Sequence, residues 1–239
     1  LTYLRNLEEK KEQVIGSIEE QGKLTEELKN KILAAETLVV VEDLYRPYRP
    51  KRKTRASVAK EKGLEGLAQY ILSQDAKEPL ETEAAKYINE EKEVKDEKEA
   101  LQGAKDIIAE SISDEADYRI YIRNITMEEG TITSTAKDEK AESVYEMYYD
   151  YEEPVKKAAG HRILALNRGE NEKFLAVKIV APTERILQYL AKKTITSDNE
   201  YTTPLLQEVI EDAYERLIAP AIEREIRNEL TEKAEDGAI

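Results

Sequence analysis

Residues 44–62 read LYRPYRPKRKTRASVAKEK, and this stretch decides how the chain on either side of it is divided. Apolar residues at helical spacing run up to Leu44. Pro47 and Pro50 then stop the helix, because proline has no amide hydrogen to donate and pushes the residue before it into extended backbone. An exposed loop between helices results. It carries Arg46, Arg49, Lys51, Arg52, Lys53, Arg55, Lys60 and Lys62 against one acid, Glu61, a net +7 in nineteen residues. The whole chain carries -14, so everything outside the stretch sums to -21. A cationic segment on an anionic body, with Tyr45 and Tyr48 set among the charges, has the composition of a phosphate-contacting surface with rings for stacking.

Outward from the loop the pattern is helical. On the N-terminal side, Leu4, Leu7, Val14, Ile15 and Ile18 mark an opening helix that ends near Gly22. Thr25 caps a second helix with Glu26 and Glu27 in its first turn, where acids are favourable. A third follows Thr37 through Val40, Val41 and Leu44. On the C-terminal side, two short helices are expected at roughly 55–62 and 64–73, punctuated by Gly63. Further helices are expected at 82–88, 96–113, 114–127, 155–168 and 183–193. Two places read as sheet: Thr131–Thr135, which alternates at period two, and Lys173–Val180, which is apolar and β-branched. Pro204 opens the strongest helix pattern, through Leu206, Ile210, Ala213, Leu217 and Ala221, and Pro220 is expected to kink or split it.

Composition excludes several function classes. Of 239 residues, 37% are charged and 40% apolar, Gly and Pro number 9 and 7, and this balance favours helix over sheet. There is no Cys and one His, His161, so a Cys/His zinc site, disulfides and thiol chemistry are ruled out. The lack of Cys fits a reducing compartment. No apolar run approaches the length of a bilayer span, and no signal peptide opens the chain. A soluble, cytoplasmic protein is expected. The chain begins with Leu inside a running helical pattern, which reads as a piece of a longer one. No Ser-His-Asp spacing, metal-ligand set or phosphate-cradling Gly-rich loop is recognisable, so no catalytic residue, metal or cofactor is expected.

Other candidate features weigh differently. Residues 55–73 have the spacing of a helix-turn-helix, but Glu65, Gln69 and Tyr70 make a poor base-reading helix, and a packing unit fits better. His161 reads as structural, hydrogen-bonded near a helix start. Arg162 and Arg168 are possible supplements to a cationic surface. Tyr145, Tyr148, Tyr149 and Tyr151 lie among Glu146, Asp150, Glu152 and Glu153, whose charges would repel phosphates. Packing against a neighbouring domain or a protein partner suits that cluster better. The acids of 75–100 alternate with Lys and read as solvated surface.

Several blocks resemble one family. DLYRPYRPKRKTRA (Asp43–Ala56), followed by KGLEGLA (Lys62–Ala68), LQGAKDIIAE (Leu101–Glu110), HRILALNRGE (His161–Glu170) and AEDGAI (Ala234–Ile239), are similar in kind and order to the Tex family of bacterial transcription accessory proteins. That resemblance implies a larger protein, with an N-terminal helical region leading to an RNase H-like domain, a helix-hairpin-helix region and an OB-fold RNA-binding domain. AEDGAI corresponds to the point where the RNase H-like domain would begin.

The expected architecture is therefore mainly α: a multi-helical region with a helix-turn-helix-like element, a small β-element and a long C-terminal helix. A division is expected into 1–128, with the basic loop, and 129–239. The expected function is non-catalytic, sequence-independent binding of RNA or DNA through Arg46, Arg49, Lys51, Arg52, Lys53, Arg55, Tyr45 and Tyr48. Binding is expected to be weak in isolation, because the acidic body opposes approach. Expected partners are nucleic acid, the transcription machinery and other domains of a full-length chain, with no membrane. The alternative is a scaffold and protein-interaction module, in which the loop's cations pair with the protein's own acids.

Overall fold

The computed structural model describes residues 1–50 and 52–237. Leu7, Val14 and Ile18 form the buried stripe of α1 (Thr2–Glu20). The chain turns at Gly22, whose φ of +70° is readily available only to glycine. Thr25 and Thr37 each accept a hydrogen bond from a first-turn amide, so α2 (Glu26–Ala34) and α3 (Leu38–Tyr45) begin where those caps place them. Ile32, Val41 and Leu44 close the core over α1.

Beyond the basic loop, Thr54 and Ser57 form a reciprocal capping box that opens α4 (Arg55–Glu61). Gly63, at φ +79°, turns the chain into α5 (Glu65–Leu72). Next come α6 (Leu80–Ala84), a 3-10 turn at Ala85–Tyr87, and α7 (Glu97–Ser113), capped by Asp96. Ala100, Ala104, Ile108 and Ala109 of α7 are fully buried. The small size of the alanines lets α4, α5 and α6 pack on one helix.

The remaining elements are α8 (Ala116–Glu129), β1 (Thr131–Ala136), β2 (Asp150–Pro154), α9 (Gly160–Asn171), β3 (Leu175–Val180), α10 (Thr183–Thr194), α11 (Thr202–Asp212) and α12 (Ala219–Gly237). The sheet order is β2-β1-β3, antiparallel throughout, with Thr133 opposite Glu152 on one side and Lys178 on the other. The mainly α architecture, the small sheet and the long C-terminal helix agree with the sequence.

The chain forms two compact units interleaved in sequence. One holds Leu1–Ile120 and Leu187–Ile218; the other holds Tyr121–Ile186 and the segment from Ala219. The sequence division at 128/129 falls inside the second.

Three local outcomes differ from the sequence pattern. The first is β2, unexpected because its acids and Pro154 lower strand propensity. As an edge strand it keeps Asp150 and Glu152 in solvent, gives Glu153 to Arg162, and needs ladder bonds on one side only. The second is the helix expected at 155–168. It starts at Gly160, after a 3-10 turn at Val155–Lys157 and extended backbone at Ala158 and Ala159. The third is Pro220. The helix neither breaks nor splits there: Ala213–Ile218 widens to a π-helix directly before it, which accommodates a missing amide donor. In the first unit, Arg119, 1% exposed, donates to Ser113 Oγ at 2.8 Å and to the carbonyl of Leu217 at 3.3 Å. It thus satisfies a carbonyl of that widened segment.

Candidate nucleic-acid interface

The basic loop leaves α3 at Tyr45 and reaches α4 at Thr54, and its two halves are held differently. In the first half, the Tyr48 and Arg49 amides both donate to the Tyr45 carbonyl, at 2.8 and 2.9 Å. The Tyr45 hydroxyl meets Ser17 Oγ at 2.9 Å, and its ring and that of Tyr48 pack against the α1–α3 core. Gln21 Nε2 donates to the Tyr48 carbonyl at 2.7 Å. Both rings are thereby committed to holding the loop. Arg46 lies 3.4 Å from the Asp114 carboxylate, with both side chains largely buried. Arg49 lies 3.6 Å from Glu42, a carboxylate that Lys10 also approaches, at 2.8 Å. The Arg49–Glu42 pair is about two-fifths exposed on each side, a setting in which ion pairs contribute little.

The second half is presented. Arg52, Lys53 and Arg55 are exposed, and among the described residues no carboxylate lies within ion-pairing distance of any of them. Thr54 between them is fixed by the capping box and by a 3.4 Å bond to Glu110. The three cations therefore project from an anchored backbone. Lys51 lies outside the described residues. Arg46, Arg49 and Arg52 border a cavity of about 390 Å³ whose far side is Glu110, Ser113 and Asp114. Arg46, Arg49 and Arg52 thus border one cavity and Lys53 and Arg55 another, while the two tyrosine rings turn inward.

Sequence reasoning missed the residues that hold the loop: Glu42, Asp114, Gln21 and Ser17. It also missed Gln102, Gly103 and Asp106, which lie within the block LQGAKDIIAE and line a second cavity beside Lys53 and Arg55. The signal available was the polar and small residues at 99, 102, 103 and 106, spaced three or four apart on one helix.

The other candidates lie elsewhere. His161 is exposed at the start of α9 and its side chain makes no hydrogen bond among the described residues, so the bond expected at the helix start is not formed. Arg162 belongs to no cationic surface: Glu153 takes its Nε and Nη2 at 2.9 and 3.1 Å. Tyr151 stacks edge-on against Tyr148 at 5.1 Å, and burial together with its bond to Glu153 pushes its hydroxyl up to about 12. Tyr145 packs on Phe174 and donates to Glu172. The tyrosine cluster therefore builds the second unit's own core. Among the described residues no group of three or more His, Cys, Asp or Glu could hold a metal, and no helix is long and apolar enough to cross a membrane.

Comparison with known proteins shows what the chain is similar to. Residues 74–239 match the model of a family described as Tex central region-like. Over 99% of its length the chain is 54% identical to the protein YdcI of Bacillus subtilis, covering 33% of that protein. Over its full length it is 36% identical to the transcriptional accessory protein Tex of Neisseria gonorrhoeae, covering 32% of it. It is also 27% identical to the human S1 RNA-binding domain-containing protein 1, again over its full length and covering 25% of that protein. The chain spans about a third of the length of the first of these relatives.

Proposed function

This chain belongs to the Tex family, and within it we propose that the loop 44–62 serves as a non-catalytic, sequence-independent nucleic-acid contact. Arg52, Lys53 and Arg55, joined by Arg49 and by Lys51 in sequence, are the phosphate-binding groups. Arg46, Tyr45 and Tyr48 hold the loop in place. The observation that carries this reading is three exposed cations with no carboxylate within ion-pairing distance among the described residues, on a chain of net charge -14, although Asp212 feels the charge of Arg55. Fifty-one acids were available to pair with them. Guanidinium groups suit bidentate phosphate contact, and each neutralised phosphate releases a condensed counterion. The printed names of two relatives, one a transcriptional accessory protein and one carrying an S1 RNA-binding domain, put such a contact in a fitting context. The whole protein's association with nucleic acid during transcription belongs to the same proposal.

The scaffold alternative draws on the Arg46–Asp114 pair and the inward tyrosines. It accounts for the first half of the loop and leaves the second half without a role. A gel shift of the 239-residue chain with single-stranded RNA and with duplex DNA, titrated with salt, separates the two. Binding that weakens steeply with salt is the expected result. No shift at low ionic strength would leave the scaffold reading standing.

A further inference from the structure

A cavity of about 520 Å³ opens between α4 and α7, beside the presented half of the loop. Its floor is apolar, made by Val58, Ala59 and Leu64. The floor exists because residue 103 is glycine: a Cβ there would come within 2.2 Å of Leu64 Cδ1 and 3.2 Å of the Ala59 Cβ. Any side chain at that position would push Leu64 off α7. Lys53, Arg55 and Lys62 stand at the rim. The α7 wall carries Glu99, Gln102 and Asp106. Asp106 is only 8% exposed, and its Oδ1 accepts from Gln102 Nε2 at 3.0 Å. Its Oδ2 accepts no hydrogen bond among the described residues. The carboxylate lines the cavity, where its free oxygen can accept a donor from outside, and it also feels the charge of the Arg216 guanidinium.

Resting on the phosphate reading above, we propose that this cleft takes one unpaired nucleobase, so that the interface prefers single strands to duplex. The base would lay its face on the aliphatic floor. An imino or amino N–H on its edge would donate to Asp106 Oδ2, and Gln102 would supply a further donor or acceptor. The flanking phosphates would meet Lys53, Arg55 and Lys62. A duplex hides both the faces and the pairing edges of its bases, so it could use the cations and not the cleft. The size suits a small flat ligand, since such sites commonly measure about 300–1,000 Å³. It also gives the block LQGAKDIIAE a role: Gln102, Gly103 and Asp106 are its cavity-facing positions.

The test compares an oligothymidylate with an abasic oligomer of equal length and equal phosphate count, by fluorescence anisotropy with the 239-residue chain at one salt concentration. The oligothymidylate should bind about fivefold tighter or more, the least expected for one seated base. Val58→Phe fills the cleft without changing charge, and should bring the oligothymidylate down to the abasic affinity while leaving abasic binding as it was. Gln102→Ala, checked for folding by its melting curve because it removes a donor to Asp106, should produce a smaller loss confined to the base-bearing strand. Equal affinities for the two strands would overturn the inference, as would a Val58→Phe protein, folded by its melting curve, that kept the full difference. Failure of both strands to bind at low salt would instead bring down the phosphate reading itself, and this inference with it.

Discussion

Four arginines of the second unit and those of the basic loop are held differently. In the second unit Arg123 is bound to Glu225, Arg162 to Glu153, Arg185 to Glu129 and Arg227 to Glu170. In the loop of the first unit, Arg46 is taken by Asp114, Arg49 is loosely shared, and Arg52 and Arg55 are left to solvent. The residue type is the same and the chain is equally acidic around both, so composition does not explain the difference. Spacing along the chain contributes. Each of these four arginines lies on or beside a regular element whose register brings a glutamate opposite it; Arg168 and Arg224, on α9 and α12, are exposed and have no carboxylate partner among the described residues. The loop between Pro47 and Thr54 has no such register, and its own stretch contains one acid. A cation becomes available for a ligand where the fold withholds a partner.

The comparison breaks most visibly at Arg227. Its guanidinium joins α9 to α12 through Glu170 at 2.6 Å and Asn167 at 2.9 Å, and it reaches the Val177 carbonyl of β3. Arg227→Ala should cost about 2 kcal/mol, less than a fully buried pair would because Glu170 is partly exposed. Denaturant unfolding measures that loss, and nucleic-acid affinity should not change. A binding defect there without a stability defect would erase the distinction between the two sets of arginines.

Arg46→Gln should come next. It removes one charge from a mostly buried pair with Asp114, and a loss of about 1 kcal/mol is expected. The salt dependence of binding should barely move, since Arg46 is held by protein. If its removal flattened that dependence as much as removal of an exposed cation, the anchored and presented halves would be one surface.

The smallest effect is alkaline and belongs to the second unit. The folded state keeps the Tyr151 hydroxyl protonated up to about 12, mainly through burial and then through Glu153, against an ordinary value near 10. The folded value is raised, so its contribution is complete below pH 10 and fades as pH climbs towards 12. Tyr151→Phe should flatten the loss of stability across that window, as followed by circular dichroism. The binding surface should be indifferent to the change.

Much of the helical frame was legible because its signals are local. Thr25 and Thr37 announce α2 and α3 through their caps, Gly63 separates α4 from α5, and Pro47 with Pro50 ends α3. β1 and β3 were legible from alternation and β-branching. β2 was not, because Asp150–Pro154 becomes a strand only through pairing with β1, and its own residues argue against it. The widening before Pro220 was hidden for a related reason: the pattern marks the missing donor but not how the backbone absorbs it. At the candidate site, the sequence located the cations and could not say which were spent. Arg46 and Asp114 are far apart in the chain, and their meeting depends on how α3 and α7 are placed in the first unit. The inward turn of Tyr45 and Tyr48 was equally out of reach, since a tyrosine beside arginines reads the same whether its ring faces a base or a core.

The claim on which the rest depends is that Arg52, Lys53 and Arg55 are held for phosphates and not for this protein's own acids. The most direct measurement is the slope of log affinity against log salt for a single-stranded oligonucleotide, in the parent chain and in the triple variant Arg52→Gln/Lys53→Gln/Arg55→Gln, with melting curves run in parallel. The account predicts a slope shallower by about 2 in the variant and a stability unchanged within about 0.5 kcal/mol. An unchanged slope accompanied by a clear fall in stability would contradict it.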